Sequence, residues 1–505
     1  MRTLTVAIVA LVPHLVWAQQ ITPEQATRTA DMAKKLDQPG TLAGAAAFGM
    51  IGEDFYLSLQ LRLSFDFETW GFGVGVPIRL RLYDRPPEDS TYGAFRTQDW
   101  DEVSDYFRII RYVYIGSKEG PFYLRLGELS GLTLGHGTIV NRFYNGFDLD
   151  RFRLGLDAHV RVGPYTTELV IGDMARPKDT VMVGWRGTIR PLQLGEYHSS
   201  PALNPEGTEG EEKELDNDSI ASRLVVGLSI ITDPTAPRAL LCSPANLDSS
   251  APCVGVKTED EHPLARNDEV LGMIGVDVAY ELLRGPLLSI TPYLDINNLL
   301  NVENGWGMHL GVMWGLHIPL LIDTLTFELR TEYRRVSGDY VGPYFDSTYA
   351  VERYESPQGS GLTKLQSLRT PVRLADGTTF DPRQAPGKNG LFFDLLAGFP
   401  EYIFIGGEYI DYDGGVADGT LRLSVQIPAL SFIQLNAFYL RTRIDGTNDF
   451  FKLDDRSAVV AEAAVPIGQF LQLQARWWRL WRAGLDGNYE SVDDWSVGIG
   501  FSLAL

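Results

Sequence analysis

The chain has 505 residues, 65 acidic and 44 basic, and its formal charge of −21 disfavours nucleic acid as a partner, because phosphate binding depends on Lys and Arg. Hydrophobic residues make up 44% of it, yet beyond the N-terminus no run of about 18 apolar residues occurs, which excludes a bundle of membrane-spanning helices. A transmembrane β-barrel escapes that limit, since only every second residue of a strand meets lipid; 22 Tyr, 24 Phe, 10 Trp and 51 Gly suit aromatic girdles and tight turns.

Residues 1–18 carry the three regions of a secretory signal peptide: Arg2, the apolar stretch Leu4 to Val16, and the small-x-small site Val16-Trp17-Ala18 before Gln19. Residues 19–53 read as an N-terminal periplasmic arm or plug, with a short amphipathic helix from Thr22 to Asp37. A barrel is expected over 54–505. Its first strand is the clearest: Phe55, Leu57, Leu59, Leu61, Leu63, Phe65 and Phe67 alternate with Tyr56, Ser58, Gln60, Arg62, Ser64 and Asp66. Such a period of two gives one greasy and one wet face, over a length beyond the usual strand of about 5 to 6 residues.

The same alternation returns at 72–82, 106–115, 121–129, 152–162, 165–173, 181–192, 220–231, 270–282, 287–297, 306–316, 325–334, 390–399, 402–412, 419–428, 432–441, 456–465, 470–481 and 494–505. That makes nineteen segments, most about ten residues long, as a barrel strand requires. Nineteen is odd, so a strand is missed or miscounted, with Leu42 to Ile51 or Gly131 to Val140 as candidates. The expectation is an all-β, antiparallel transmembrane barrel of about 18 strands, within a range of 16 to 20.

Short links such as Gly163-Pro164, Pro319 to Asp323 and Pro466 to Gln469 alternate with long polar ones, including Thr232 to Asp268 and Val336 to Asn389. Short periplasmic turns and long external loops follow that rule in outer-membrane barrels. Pro191 to Asp218 is too long for its place among the short links. Acidic clusters at Glu206 to Asp218, Glu259 to Glu261 and Asp445 to Asp455 read as solvated loops. Cys242 and Cys253 share one external loop of an exported chain, which predicts a disulfide between them.

With its terminal strand, Trp495, Val497, Ile499, Phe501, Leu503 and Leu505 against Ser496, Gly498, Gly500, Ser502 and Ala504, the chain resembles a bacterial outer-membrane β-barrel of the porin-like kind. Leu505 stands where that family commonly has Phe. The resemblance implies a Gram-negative outer membrane, contact with its lipid and lipopolysaccharide, and the barrel-assembly machinery as a partner during biogenesis.

If the apolar faces meet lipid, the lumen is lined by the alternate positions, among them Arg62, Arg79, Arg81, Arg151, Arg153, Arg161, Glu328, Arg330, Glu332 and Arg334. These charges either bias which ions and solutes pass or pair across the lumen to stiffen the wall. His136 with Ser130, Asn141 and Asn145 invites a hydrolase reading, but spacing alone assembles no such site, and an incidental histidine in a Gly-rich turn is the simpler account. Asp411, Asp413 and Asp418 depart from a calcium loop and read as an acidic hairpin. No cofactor, metal or enzymatic activity is expected.

The expected function is passive diffusion of small hydrophilic solutes through a porin-like channel. The alternative is a non-conducting receptor, adhesin or assembly barrel that uses its long external loops. The loop from Val336 to Asn389 divides the two, since it either folds inward to narrow a pore or outward to meet a partner.

Overall fold

The computed structural model describes residues 40–504 apart from a number of loop and turn positions, the longest of these stretches being 85–94, 195–219 and 242–257. The unbroken alternation at the start of the expected barrel becomes β2 (Asp54–Asp66), paired in register with β1 (Gly40–Ile51) and β3 (Trp70–Tyr83). There follow β4 (Ile110–Gly116), β5 (Phe122–Gly127), β6 (Gly155–Val162), β7 (Tyr165–Ile171), β8 (Val183–Ile189), β9 (Leu224–Leu240) and β10 (Ala265–Tyr280). The second half holds β11 (Leu288–Leu299), β12 (Trp306–Pro319), β13 (Thr324–Val336), β14 (Lys388–Phe399), β15 (Ile403–Tyr412) and β16 (Gly419–Leu430). It ends with β17 (Ile433–Ile444), β18 (Ser457–Ile467), β19 (Leu471–Ala483) and β20 (Tyr489–Ala504). Each strand pairs antiparallel with its neighbours in sequence, and β20 returns to β1 from Thr41↔Ala504 to Met50↔Trp495. The sheet is thus a closed barrel of 20 strands, with the two-residue strand Leu283–Arg284 added beside β11.

The strand number of 20 lies at the upper end of the expected 16 to 20, and one expectation is corrected: the barrel begins at Gly40 rather than at residue 54. β1 escapes a period-two reading because both of its faces are small or apolar: Leu42, Gly44, Ala46 and Phe48 alternate with Ala43, Ala45, Ala47 and Gly49. The rival segment, 131–140, is no strand; Gly131, Gly135 and Gly137 take φ of 71°, 58° and 75°, in the left-handed region that ends an extended run. The expected link from Thr232 to Asp268 is partly strand as well. β9 and β10 continue into its Pro-rich and acidic sequence, with register shifts at Ala265/Asn267, Asn267/Asp268 and Glu269/Leu271 absorbing the irregular residues. Residues 1–39, with the expected signal peptide and helix, lie outside the described residues, as do Cys242 and Cys253.

Alternation sorts the side chains by face. Leu59, Leu61, Val113, Ile115, Val276, Val278, Leu310, Ile405, Leu473 and Ile499 are exposed on the outside, with Leu61 55% exposed, while Arg79, Arg81, Asp157, Arg186, Asp277, Glu332 and Glu408 are buried within. An apolar surface all round a closed sheet is tolerable only in lipid. Rings mark its borders: Phe67 stacks on Trp70 at 4.4 Å at one end of β2, and Phe48, Phe55 and Trp495 meet at 5.7 to 6.4 Å at the other. Ten residues separate Phe55 from Phe65, about 25 Å of height for strands rising about 3.4 Å per residue at a tilt of about 40°. The chain has the fold and the exterior of an outer-membrane β-barrel.

Links at one rim are short, as at 67–69, 163–164, 320–323 and 468–470, with 190–223 the long exception. At the other rim lie the long connections, including 84–109, 128–154, 241–264 and 337–387. Two of them enter the barrel. Val140 and Phe345 form a parallel bridge, in which the Asn141 amide donates to the Phe345 carbonyl at 3.0 Å and the Phe345 amide to the Ile139 carbonyl at 3.1 Å. Around this bridge Leu132, Leu134, Phe143, Tyr344, Tyr349 and Leu365 pack on wall residues Val170, Ile231, Leu271 and Met273 in one apolar cluster. The barrel therefore has a hydrophobic core inside its lumen, as well as an apolar coat outside.

Candidate channel lumen

The inward loops are fixed to the wall by charges that alternation places on the lumen side of β9 to β16. Arg330 on β13 donates to the His136 carbonyl and reaches Asn141 at 3.3 Å and Asp394 at 3.2 Å. Arg334 binds Glu332 at 2.6 Å and the Gly342 carbonyl at 2.8 Å, and the Tyr293 hydroxyl closes on Glu332 at 2.5 Å. From the loop side, Arg142 spans Asp394 at 2.6 Å and Glu408 at 3.1 Å. Arg422 on β16 holds Glu408 and, at 2.6 Å, the loop carboxylate Asp346. Arg353, in the short helical turn that Tyr349–Glu352 begins, binds Asp233 of β9 at 3.2 Å, and the Tyr349 hydroxyl donates to the same carboxylate at 2.7 Å. Burial acts to raise the pKa of Asp346, but Lys364, Arg422 and hydrogen bonds from Thr348 outweigh it and hold the carboxyl below its usual range.

His136 Nδ1 and carboxylate oxygens of Asp277 and Asp295 lie within 4.8 Å of one another, close enough for a metal-ligand set. Protein groups already meet those charges. Arg186 grips Asp277 with both terminal nitrogens at 2.5 and 2.9 Å, Thr138 donates to Asp295 at 2.6 Å, and the His136 ring, 2.8 Å from Asp295, stacks on Tyr293 at 4.0 Å. With a guanidinium in the cation's place, the cluster works as a latch between loop and wall. The residues that suggested a hydrolase are spread over different tasks: His136 serves this latch, Asn141 donates to Glu408 at 2.9 Å, and Asn145 accepts from the Leu129 amide at 2.9 Å. Asp411 accepts from Tyr409 at 3.0 Å and Asp413 from the Asn389 side chain at 2.7 Å, while Asp418 lies outside the described residues.

The remaining arc, from β17 through the β20–β1 seam to β4, is built differently. A small cavity, partly open to solvent, lies at the seam between β19 and β3, lined by Ala45, Ala47, Gly49, Ile51, Ser58, Gln60, Arg62, Arg79, Gln474, Arg476, Trp478, Trp495 and Ser496. Small residues of β1 face small residues of β20 across the seam: Ala45↔Gly500, Ala47↔Gly498 and Gly49↔Ser496. Side chains that would fill this space are missing, so the wall becomes a floor. Charges at its edges are paired: Arg79 with Asp99, which also takes Arg96 at 3.2 Å and Arg108 at 3.1 Å; Arg111 with Glu128 at 3.0 Å; Arg476 with Glu462 at 2.7 Å. Arg62 donates to Gln60 at 2.5 Å.

The sequence-predicted lumen residues thus divide. Arg62 and Arg79 line the cavity. Arg81 is held by Asp54 at 3.0 Å, Tyr56 at 3.1 Å and Asp84 at 3.4 Å, near the long-loop rim. Arg153 is buried against the Asn145 carbonyl at 3.3 Å, and Arg161 is half-buried on β6. Arg330, Glu332 and Arg334 hold the inward loops, Glu328 on the same face is exposed, and Arg151 lies outside the described residues. Gln474, Arg476 and Trp478 were not singled out from the sequence. The signal for the first two was present, as polar positions alternating with Leu471, Leu473 and Ala475.

No protein-family model matches the chain, and no curated protein sequence matches it. Among solved structures it is similar to the outer membrane protein OprD of Pseudomonas aeruginosa, at 10% identity over 94% of this chain and 96% of that one, with a TM-score of 0.30. It is also similar to OpdK of the same organism, at 8% identity over 92% and 98% with a TM-score of 0.28, and to that organism's siderophore receptor PirA, at 8% over 93% and 81% with a TM-score of 0.34.

Proposed function

We propose that this barrel is a channel for passive diffusion of small hydrophilic solutes, with its long loops outside the cell and the β17-to-β4 arc as the conducting path. One observation carries the reading: the lumen is filled over one arc but keeps a solvent-open cavity at the β20–β1 seam, with Gln60, Arg62, Arg79, Gln474 and Arg476 in its lining. A 20-stranded barrel without inward segments would leave a wide aqueous pore. Val140, Phe143, Phe345 and Tyr349 of the loops 128–154 and 337–387 pack into that width, so the path we read beside them is a narrow one, suited to small solutes in water. Of the two fates open to the 337–387 loop, inward folding belongs to a channel, because the loop spends its surface on the lumen wall.

Planar-bilayer recording of the purified chain tests this. Small, steady conductance steps are expected, growing several-fold when residues 345–368 are replaced by a short Gly-Ser link. Absence of conductance in both proteins, each folded by its heat-resistant mobility on gels, would overturn the channel.

A further inference from the structure

We infer that the seam cavity is a binding subsite for a small, neutral, polyhydroxylated solute, of the class of a single sugar ring, held by Gln474 and Trp478 above the Ala and Gly floor of β1 and β20. The inference rests on the channel reading, since the site lies on the proposed path. Gln474 and Trp478 are 4% and 5% exposed and line the cavity. Neither amide atom of Gln474 has a hydrogen-bond partner, and neither does the Trp478 indole nitrogen. On the same strands Gln472 Nε2 and Ser502 Oγ are also without partners. Buried polar groups are nearly always paired in native proteins, so a cluster of unpaired ones beside a cavity marks where water or solute completes the set.

The chemistry of the unpaired atoms selects the solute. Two guanidinium groups of the lining are engaged by carboxylates, Arg79 by Asp99 and Arg476 by Glu462, and the third, Arg62, donates to Gln60 at 2.5 Å. The unpaired atoms are neutral and mixed: the Gln474 nitrogen and the Trp478 nitrogen donate, the Gln474 oxygen accepts, and the hydroxyls of Ser58 and Ser496 in the lining are capable of both. A pair of neighbouring solute hydroxyls matches an amide, accepting from its nitrogen and donating to its oxygen. A carboxylate accepts only, and would set its charge against the Gln474 oxygen. The small residues place the amide: at Gly500 a side chain would run into the Gln474 amide, so the glycine makes room for that group, and Ala45, Ala47 and Gly49 keep the neighbouring strand of the lining low.

D-glucose is the probe, with sodium gluconate as its charged counterpart, titrated into the intact, detergent-purified protein and followed by saturation-transfer NMR. Saturable binding of glucose is expected. It should weaken roughly 3- to 10-fold in Gln474→Ala and in Trp478→Phe, the size of one net hydrogen bond, and further in Gln474→Glu, which loses the donor. Heat-resistant gel mobility separates a lost site from a lost fold. If glucose shows no saturable binding, if gluconate binds and glucose does not, or if folded Gln474→Ala and Trp478→Phe bind glucose as the parent does, the inference is overturned. NMR binding requires no current, so the two readings fail separately: a chain that binds glucose without conducting removes the channel, and one that conducts without binding glucose removes the subsite.

Discussion

Two arcs of one barrel, made of the same alternating strands, end in opposite states. From β9 to β16 the lumen side carries large charged groups, Asp233, Asp277, Asp295, Arg330, Glu332, Arg334, Glu408 and Arg422, and two loops have folded onto them. Across the β20–β1 seam the lumen side carries Ala, Gly and Ser, and space remains. Lumen charge in this chain therefore does not by itself mean a charged channel. Buried charges require partners, and where the loops supply them the arc becomes solid. At the seam itself the residues are small, and the nearest side chains of the same loops, Tyr144 and Val351, pack beside it on Ile51, Leu440, Val460 and Trp478.

The packed arc is most vulnerable at the bridge between the loops. Phe345 is fully buried there, so Phe345→Ala should cost that arc about 3–5 kcal/mol and release the 337–387 loop. Conductance should rise several-fold, and protease added to whole cells should cut the loop; an unchanged conductance would show that the loop does not restrict the path.

Arg422→Met leaves Glu408 and Asp346 facing each other with less cation between them, an expected loss of about 3 kcal/mol in loop docking. Noisier, larger currents are the readout. A double change with Asp346→Asn should restore part of the loss, because one of the stranded carboxylates is then neutral.

Acid should act on the same arc. The folded pKa of Asp346 is depressed, so its contribution is present above the ordinary carboxylate value of about 3.9 and is lost as pH falls through the lower, folded value. Protease resistance of the loop should therefore be flat from pH 8 to about pH 5 and fall below about pH 4. Asp346→Asn should lack the part of that fall due to this group; identical acid profiles would count against Asp346 as the sensor.

The smallest effect on stability, and the most selective, is expected at the seam. Ala47→Leu places a side chain in open cavity rather than in packed core, so unfolding should shift within about 0.5 kcal/mol, as for a surface change. Conductance should nevertheless drop. A conductance equal to the parent's would place the path elsewhere in the lumen.

Much of this architecture was legible from residues alone. The alternation of Phe55 to Phe67 assigned the faces of β2, and the same rule put Arg330, Glu332 and Arg334 on the lumen side of β13, because a strand's period of two is set by its own backbone. β1 was hidden for the same reason, since a strand with Leu42, Ala43, Gly44 and Ala45 in succession shows no contrast between its faces. Fold class, the lipid-facing surface and the alternation of short and long links are thus properties of local sequence.

The state of the lumen, by contrast, was settled by contacts between distant segments. Whether Arg330 meets water or the carbonyl of His136 depends on a contact 194 residues away, and whether Arg422 guides solutes or ties down Asp346 depends on one 76 residues away. Nothing in the spacing of either segment states that the two will meet, because loops return to the wall by long-range packing and pairing rather than by period. The closure of β20 on β1, from opposite ends of the chain, likewise sets Gly498 and Gly500 beside Ala45 and Ala47 and makes the cavity. Local sequence was enough for a barrel with a charged interior; long-range packing chose which arc is solid and which stays open.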